Sequence, residues 1–307
     1  MKICVIGCGA VGSLFAAHLA KAGEAEVWAY DVWKEHVDAI QQNGLRLSGA
    51  EDFTARLNAT SNAKDLPRCD YGIVATKAIH TRKAIAEVAD IFDDRSAVCS
   101  VQNGVGNEEI IGERVQFVIR GTTFPAGHPI APGHIGYDIK GDTWIGPFEE
   151  TNTSMEKVEE LAGLLTRSGM NTIALKDARG AQWTKLIFNA ATNPVGALTL
   201  LHHGAAARFE PTGDLFDDLI AEGEAVAKKL GIELHADPRE LVQKGANAPG
   251  KHRASMLQDV LAKRQTEVDF MNGAIVHWGK EVGVPTPLNN AVWQLIKGLE
   301  HSWKDPN

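Results

Sequence analysis

Lys185, Asn189 and Asn193 are spaced four residues apart in an otherwise apolar stretch, residues 183–194. At a helical period the outer two lie about 80° apart, so all three share one face. Leu186 and Ile187 then point elsewhere, toward packing. The stripe could simply be solvated; it could equally grip a carboxylate and a carbonyl. The second chemistry suits hydride transfer to a ketone. As hydride reaches the carbon, negative charge grows on the oxygen, and a nearby ammonium stabilises it and then donates the proton. A positioned proton donor of this kind is worth roughly 10²–10⁴-fold in rate. No serine, histidine or cysteine nucleophile is needed where a cofactor carries the hydride.

A place for such a cofactor stands at the start of the chain. Gly7-Cys8-Gly9-Ala10-Val11-Gly12 is G-x-G-x-x-G, set directly between an apolar strand run and a helical run. The first glycine permits a tight turn, the second lets backbone approach a pyrophosphate, and the third lets helix and strand pack closely. The helix N-terminus adds free N–H groups and partial positive charge for the phosphates. Asp31, nineteen residues past Gly12, falls after the second strand. There a carboxylate accepts hydrogen bonds from the adenosine ribose, favouring NADH and repelling a 2′-phosphate. No arginine occurs between Gly12 and Arg46, although Lys34 lies close.

The elements that must position these groups alternate in the first half. Residues 3–6, 26–30, 71–75, 97–100 and 116–119 read as strands. Residues 10–22, 34–42 and 78–91 read as helices between them, which implies a parallel sheet covered on both faces. Residues 135–139 and 143–145 read as antiparallel strands finishing that sheet, followed by a helix over 154–168 and a strand over 171–175. Beyond Asp177 the pattern is helical: 178–191, 214–230, 256–282 with a break, and 289–303. The fold class expected is α/β, an N-terminal Rossmann-type doubly wound sheet followed by an all-helical C-terminal domain. We place the dinucleotide-binding domain at 1–175 and the helical substrate domain at 176–307.

Composition narrows the class of function. The chain has 307 residues, 44% hydrophobic and 23% charged, which excludes disordered, collagenous and coiled-coil readings. A net charge of −8 argues against a nucleic-acid partner but not against a small anion, which a few local cations can hold. Cys4, Cys8, Cys69 and Cys99 form no CxxC pair and read as reduced thiols of a cytoplasmic protein. Neither cysteines nor histidines show metal spacing, so no metal is expected. No apolar run is long enough to span a membrane, and glycines interrupt the N-terminal stretch that could pass for a signal peptide.

Taken in order, several stretches resemble the ketopantoate (2-dehydropantoate) 2-reductase family over essentially the whole length. They are the six residues from Gly7 to Gly12, Thr76-Lys77-Ala78, Gln102-Asn103-Gly104-Val105-Gly106, Gly121-Thr122-Thr123 and residues 183–194. Ser255-Met256-Leu257-Gln258-Asp259, Thr266-Glu267-Val268-Asp269 and Asn272-Gly273 complete the set. The resemblance implies that Lys185 is the general acid and Glu267 its acidic counterpart, anchoring the substrate hydroxyl. It implies that Asn189, Asn193 and Ser255 hold the substrate, that Asn103 sits between nicotinamide and substrate, and that Lys77 touches the cofactor. By themselves Glu267 would read as a surface glutamate, and Asp259 and Asp269 as structural. Ser255 and Glu267 would lie about 120° apart on a straight helix, so facing one site requires a break, placed here around residues 263–265.

The implied reaction is reduction of 2-dehydropantoate to (R)-pantoate with NAD(P)H. The partners expected are a small anionic 2-oxo acid and, at most, a second copy of the chain in a homodimer. Two departures qualify this. Family members that use NADPH usually carry arginine where Asp31 stands, and asparagine is common where this chain has His252, three residues before Ser255. Together they open a second reading, an NAD-dependent D-2-hydroxyacid dehydrogenase of the same family acting on another 2-oxo acid. A β-hydroxyacid dehydrogenase is opposed by the Gln102-Asn103-Gly104 loop and the Ser255…Glu267 segment. A non-catalytic NAD(P)-sensing protein would leave the Lys, Asn, Asn, Ser and Glu set without purpose. With catalytic groups on both sides of residues 170–178, closure of a cleft is expected to join Asn103 with Lys185.

Overall fold

The computed structural model describes residues 1–247 and 254–304. Its first elements are β1 (Lys2–Ile6), α1 (Ala10–Ala22), β2 (Glu26–Tyr30), α2 (Lys34–Asn43), β3 (Leu45–Gly49), β4 (Phe53–Ala55) and β5 (Asn58–Thr60). Then come β6 (Tyr71–Val74), α3 (Thr81–Val88), β7 (Ala97–Ser100), α4 (Asn107–Gly112), β8 (Val118–Thr123), β9 (Ala126–Ala131), β10 (His134–Ile139), β11 (Thr143–Pro147), α5 (Met155–Ser168) and β12 (Thr172–Ala174). Eight of the strands form one sheet in the order β12-β11-β8-β7-β6-β1-β2-β5. From β5 to β8 every pairing is parallel; β11 runs antiparallel to β8.

Alternation within β1 explains the layering. Ile3 and Val5 pack with α1, α2 and α5 on one face, whereas Cys4 and Ile6 pack with α3 and α4 on the other. This is the Rossmann-type doubly wound sheet anticipated. The chain leaves β1 for β2 on one side and later returns to β6 on the other. The carboxyl ends of β1 and β6 therefore flank the switch point, where open α/β sheets bind ligands.

One expectation is corrected. Residues 135–139 do not finish the main sheet; they form β10 of a separate four-stranded sheet, β4-β3-β10-β9. There β10 runs parallel to β3 and antiparallel to β9. Leu45, Leu47, Ile135 and Tyr137 of this sheet join the core containing α1, so α1 is covered by both sheets. That double cover is why α1 is buried without interruption from Gly12 to Leu19.

The remaining elements are helices: α6 (Arg179–Thr199), α7 (His203–Arg208), α8 (Glu210–Lys229), α9 (Pro238–Asn247), α10 (Ser255–Leu261), α11 (Asn272–Val282) and α12 (Pro287–Ser302). Leu186, Ile187, Phe216, Leu219, Ile275 and Ile296 centre their common core. The chain divides into two compact units, residues 1–102 with 107–178, and residues 103–106 with 179 onward. The short loop Asn103–Gly106 thus belongs to the helical unit, although the first unit flanks it in sequence.

Packing at the third glycine of the fingerprint makes a test of the fold. A Cβ on Gly12 would lie 1.9 Å from the carbonyl oxygen of Gly7, which is backbone and cannot swing aside, whereas a Cβ on Gly9 meets nothing within 4 Å. Gly12→Ala is expected to destabilise the protein by about 1–3 kcal/mol in urea unfolding. Gly9→Ala is expected to stay within about 0.5 kcal/mol of wild type.

Candidate active site

The glycine turn is built as its spacing requires. Gly7 has φ +88° and its N–H donates to the Tyr30 carbonyl at 2.8 Å, tying the turn to the end of β2. A Cβ at Gly7 would meet Thr76 at 2.6 Å, so this turn and the segment after β6 touch directly. Space around Gly9 is open. Gly9 caps α1 without a side-chain hydrogen bond, and no acidic residue sits in the first turn. The positive end of α1 is therefore left for an anion by the chain's own side chains, and a pyrophosphate fits these residues. Cys8 contributes backbone only, because its side chain is fully buried.

Asp31 accepts a hydrogen bond from the Trp33 N–H at 2.8 Å and remains partly exposed. Burial pushes the Cys8 thiol up, and the Asp31 carboxylate pushes it further, which places that charge beside the glycine turn. Lys34 pairs with Asp38 at 2.7 Å on the surface. Lys77 follows Thr76 at the carboxyl end of β6 and is partly exposed.

Two supports of this half escaped sequence reasoning. The Gly133 N–H donates to His36 Nδ1 at 3.0 Å, so the other ring nitrogen carries the proton and faces Ser13 Oγ at 3.4 Å. Ser13 Oγ in turn donates to the Cys8 carbonyl at 2.8 Å. Burial lowers the His36 pKa, in keeping with a neutral ring. Separately, Gln102 Nε2 donates to the Thr76 carbonyl at 2.9 Å and to Thr81 Oγ1 at 2.8 Å, bracing the segment that carries Lys77. His36 and Gly133 are 97 residues apart, so no local pattern could have linked them.

In the helical unit, α6 carries Lys185, Asn189 and Asn193 in one regular helix that continues through Pro194 to Thr199. Leu186 and Ile187 point into the core, as their spacing predicts. Asn189 and Asn193 are only 6% and 7% exposed. The Asn193 amide lies 3.9 Å from Met271 Sδ, and the Asn189 amide bonds to no other described residue. A buried amide with unused donors and acceptor suits a polar ligand.

The expected break between Ser255 and Glu267 is present. α10 ends at Leu261, Lys263 takes a left-handed φ of +49°, and a 3-10 turn begins at Val268. Ser255 opens α10, which packs on α6 and leaves Ser255 partly exposed. Glu267 is 6% exposed and close enough to act electrostatically on Lys185. The preceding Thr266 is pinned by α12, its N–H and Oγ1 both donating to Glu300 Oε1 at 2.8 and 2.7 Å. Asp259 pairs with Arg264 at 3.2 Å, and Asp269 accepts from Trp293 and Lys297 at 2.7 and 2.8 Å.

Asn103 is brought to the same unit by backbone contacts on both sides. The Val105 N–H donates to the Phe270 carbonyl at 3.1 Å, three residues past Glu267. Gln182 Nε2 donates to the Gly104 carbonyl at 3.3 Å, three residues before Lys185. Gly104 sits at φ +85° with the Phe270 carbonyl 2.3 Å from where a Cβ would stand, so no other residue fits. Asn103 and Lys185 thus belong to the same compact unit, although they are far apart in sequence.

Lys185 is tuned by this setting. Burial disfavours its charged form and lowers its pKa from 10.5 to about 8, while the Glu267 carboxylate opposes the shift. An ammonium poised there stays largely charged at neutral pH yet gives up its proton readily. His252 lies outside the described residues. Among the described residues, no group of three His, Cys, Asp or Glu could hold a metal ion, and no helix is long and apolar enough to cross a membrane.

Comparison with known proteins identifies the family. Residues 3–150 match the family model described as ketopantoate reductase PanE/ApbA, and residues 177–300 match its C-terminal counterpart. The 2-dehydropantoate 2-reductase of Pyrococcus abyssi is 33% identical over 98% of both chains. A PanE/ApbA family ketopantoate reductase from Ralstonia eutropha JMP134 superimposes with a TM-score of 0.88 at 29% identity, covering 99% of this chain and 100% of that one. A D-mandelate dehydrogenase in ternary complex with NADH and anilino(oxo)acetate superimposes with a TM-score of 0.90 at 26% identity, again over 99% and 100%. On these matches the chain belongs to the ketopantoate reductase PanE/ApbA family of NAD(P)-dependent 2-oxo acid reductases.

Proposed function

We propose that this chain reduces 2-dehydropantoate to (R)-pantoate with NADH, with Lys185 as the general acid. The observation that carries the proposal is the Lys185 ammonium, tuned to about 8 beside Glu267 and sharing a helical face with two buried amides. A bound nicotinamide cofactor supplies the hydride. Gly7, Cys8, Gly9, Ala10, Val11 and Gly12 hold its pyrophosphate through backbone N–H groups, Asp31 accepts from its ribose hydroxyls, and Lys77 and Asn103 lie along it. Asn189, Asn193 and Ser255 hold the oxo acid. As the C=O bond becomes C–O⁻, Lys185 stabilises the growing charge and passes its proton to that oxygen, leaving a neutral amine that solvent reprotonates. Glu267 keeps the lysine charged before the step and accepts a hydrogen bond from the substrate hydroxyl.

Preference for NADH rests on Asp31, which would face a 2′-phosphate with like charge, and on the pairing of Lys34 with Asp38. The burial of Cys4, Cys8, Cys69 and Cys99 as free thiols supports a reducing, cytoplasmic setting. A second reading is favoured by Asp31 together with the similarity to D-mandelate dehydrogenase bound to NADH. It makes the chain an NAD-dependent D-2-hydroxyacid dehydrogenase whose substrate side chain differs from that of pantoate. Steady-state kinetics crossing NADH and NADPH with 2-dehydropantoate and phenylglyoxylate separates the two. Higher kcat/KM with 2-dehydropantoate supports the first, and higher kcat/KM with phenylglyoxylate the second.

Lys185→Ala is expected to lower kcat at least about 100-fold, and turnover within a few-fold of wild type would remove Lys185 from its role. Because the proton donor is the charged form, the reduction rate should fall as pH rises through about 8, and oxidation of the hydroxy acid should rise over the same range. Glu267→Gln removes the charge that holds this pKa up, so the falling limb should move to lower pH. For the cofactor, Asp31→Ser should cut the preference for NADH over NADPH by about tenfold or more, read as the ratio of kcat/KM values. Equal or better turnover of the unaltered protein with NADPH would overturn the reading of Asp31.

A further inference from the structure

Pro194 lies inside α6, one residue after Asn193. Proline has no N–H, so the helix cannot supply the donor that would normally reach the carbonyl four residues back, that of Ala190. Ala190 is buried, follows Asn189 directly, and its carbonyl has no access to water in exchange. The missing donor comes from another helix. Asn272 Nδ2 donates to the Ala190 carbonyl at 2.8 Å and, with its second hydrogen, to Asn289 Oδ1 at 3.0 Å.

We propose that Asn272 is a positioning residue for the oxo-acid site, fastening α6 at the carbonyl that Pro194 leaves without a donor. The proposal rests on reading α6 as the helix that binds the oxo acid. Asn272 is itself held. Asn289 Nδ2 donates to Glu222 Oε2 at 2.8 Å and to the Leu219 carbonyl at 3.2 Å. The Glu222 carboxylate also accepts the Leu288 and Asn289 N–H groups, at 2.8 and 2.9 Å. Every partner of the two amide nitrogens is an acceptor, so both amide orientations are determined. The result is a continuous brace from α8 and the start of α12, through α11, to the turn of α6 between Asn189 and Asn193. Asn272 and Asn289 are both fully buried, and Asn272 Oδ1 has no hydrogen-bond partner among the described residues. An orphaned buried acceptor costs stability. A residue kept at that cost serves the direction of its donors, which here means the placement of the two substrate amides.

The test uses Asn272→Leu, Pro194→Ala and their combination, measuring thermal unfolding, NADH dissociation constant, kcat and KM. The oxo acid is whichever of 2-dehydropantoate and phenylglyoxylate the unaltered protein turns over faster. Asn272→Leu should lower the melting temperature and raise the oxo-acid KM about tenfold, with NADH affinity unchanged. Adding Pro194→Ala gives the Ala190 carbonyl its own helical donor. The double variant should therefore recover much of the lost melting temperature while KM stays raised, because α6 is no longer held by Asn272. Should Asn272→Leu alone fail to fold, the double variant carries the KM measurement. Failure of Pro194→Ala to recover stability would overturn the proposal, and so would an unchanged KM in a folded Asn272→Leu variant. Unchanged KM in both Asn189→Ala and Asn193→Ala would instead sink the reading of α6 as the oxo-acid helix, whatever the melting temperatures do.

Discussion

A single ammonium under two opposed influences governs the helical unit. In the role proposed for it, Lys185 must be charged to attract a carboxylate-bearing substrate and to stabilise the oxygen as hydride arrives, yet it must release a proton when that oxygen needs one. Burial alone would push its pKa further down, and full exposure would leave it at 10.5, too high for an efficient donor near neutrality. Glu267 supplies the counterweight, so its position has to be as secure as that of the lysine. Glu300 provides that security by holding Thr266 from α12. Phe270, three residues on, uses its backbone carbonyl to seat the loop that carries Asn103. One short segment therefore both favours the charged form of Lys185 and anchors the loop that carries Asn103.

The rest of α6 follows from the same need for fixed placement. A helix with an internal proline would normally bend and leave a buried carbonyl unpaired. Here that weak point falls between Asn189 and Asn193 and is closed from α11 by Asn272, itself oriented by Asn289 and Glu222. In the first unit the glycine turn is treated in a similar way. Ser13 holds the Cys8 carbonyl and is backed by His36, which the turn between β9 and β10 orients, and Gln102 braces the segment after β6. In both units the groups proposed to meet ligand stay polar and available while buried hydrogen-bond chains fix the backbone beneath them.

Much of this was legible in the sequence wherever the cause is local. A strand, three glycines and the start of a helix within the first twelve residues specify their own turn, because Gly7 and Gly12 must approach other backbone closely. The i, i+4, i+8 spacing places Lys185, Asn189 and Asn193 on one face, and the angle between Ser255 and Glu267 demands the break found at Lys263. What could not be read depends on contacts remote in sequence. Alternation marks residues 135–139 as a strand but says nothing of its partner, which is β3, not the main sheet. The Asn103–Gly106 loop looks like any connection after β7, and only Phe270 and Gln182 draw it into the helical unit. Asn272 carries a recognisable pair with Gly273, but its task becomes visible only beside the carbonyl it caps.

The acidity of the chain, −8 overall, has no bearing on a proposed site whose cation is a single partly exposed lysine. What matters is the proton affinity of that one group, and it can be read directly. Titration of protein labelled with ¹³C at lysine Cε, with Lys185 assigned through Lys185→Ala, follows the chemical shift of this residue against pH. A midpoint near 8 is the result the account predicts, whereas a midpoint at 10.5 or above would contradict it.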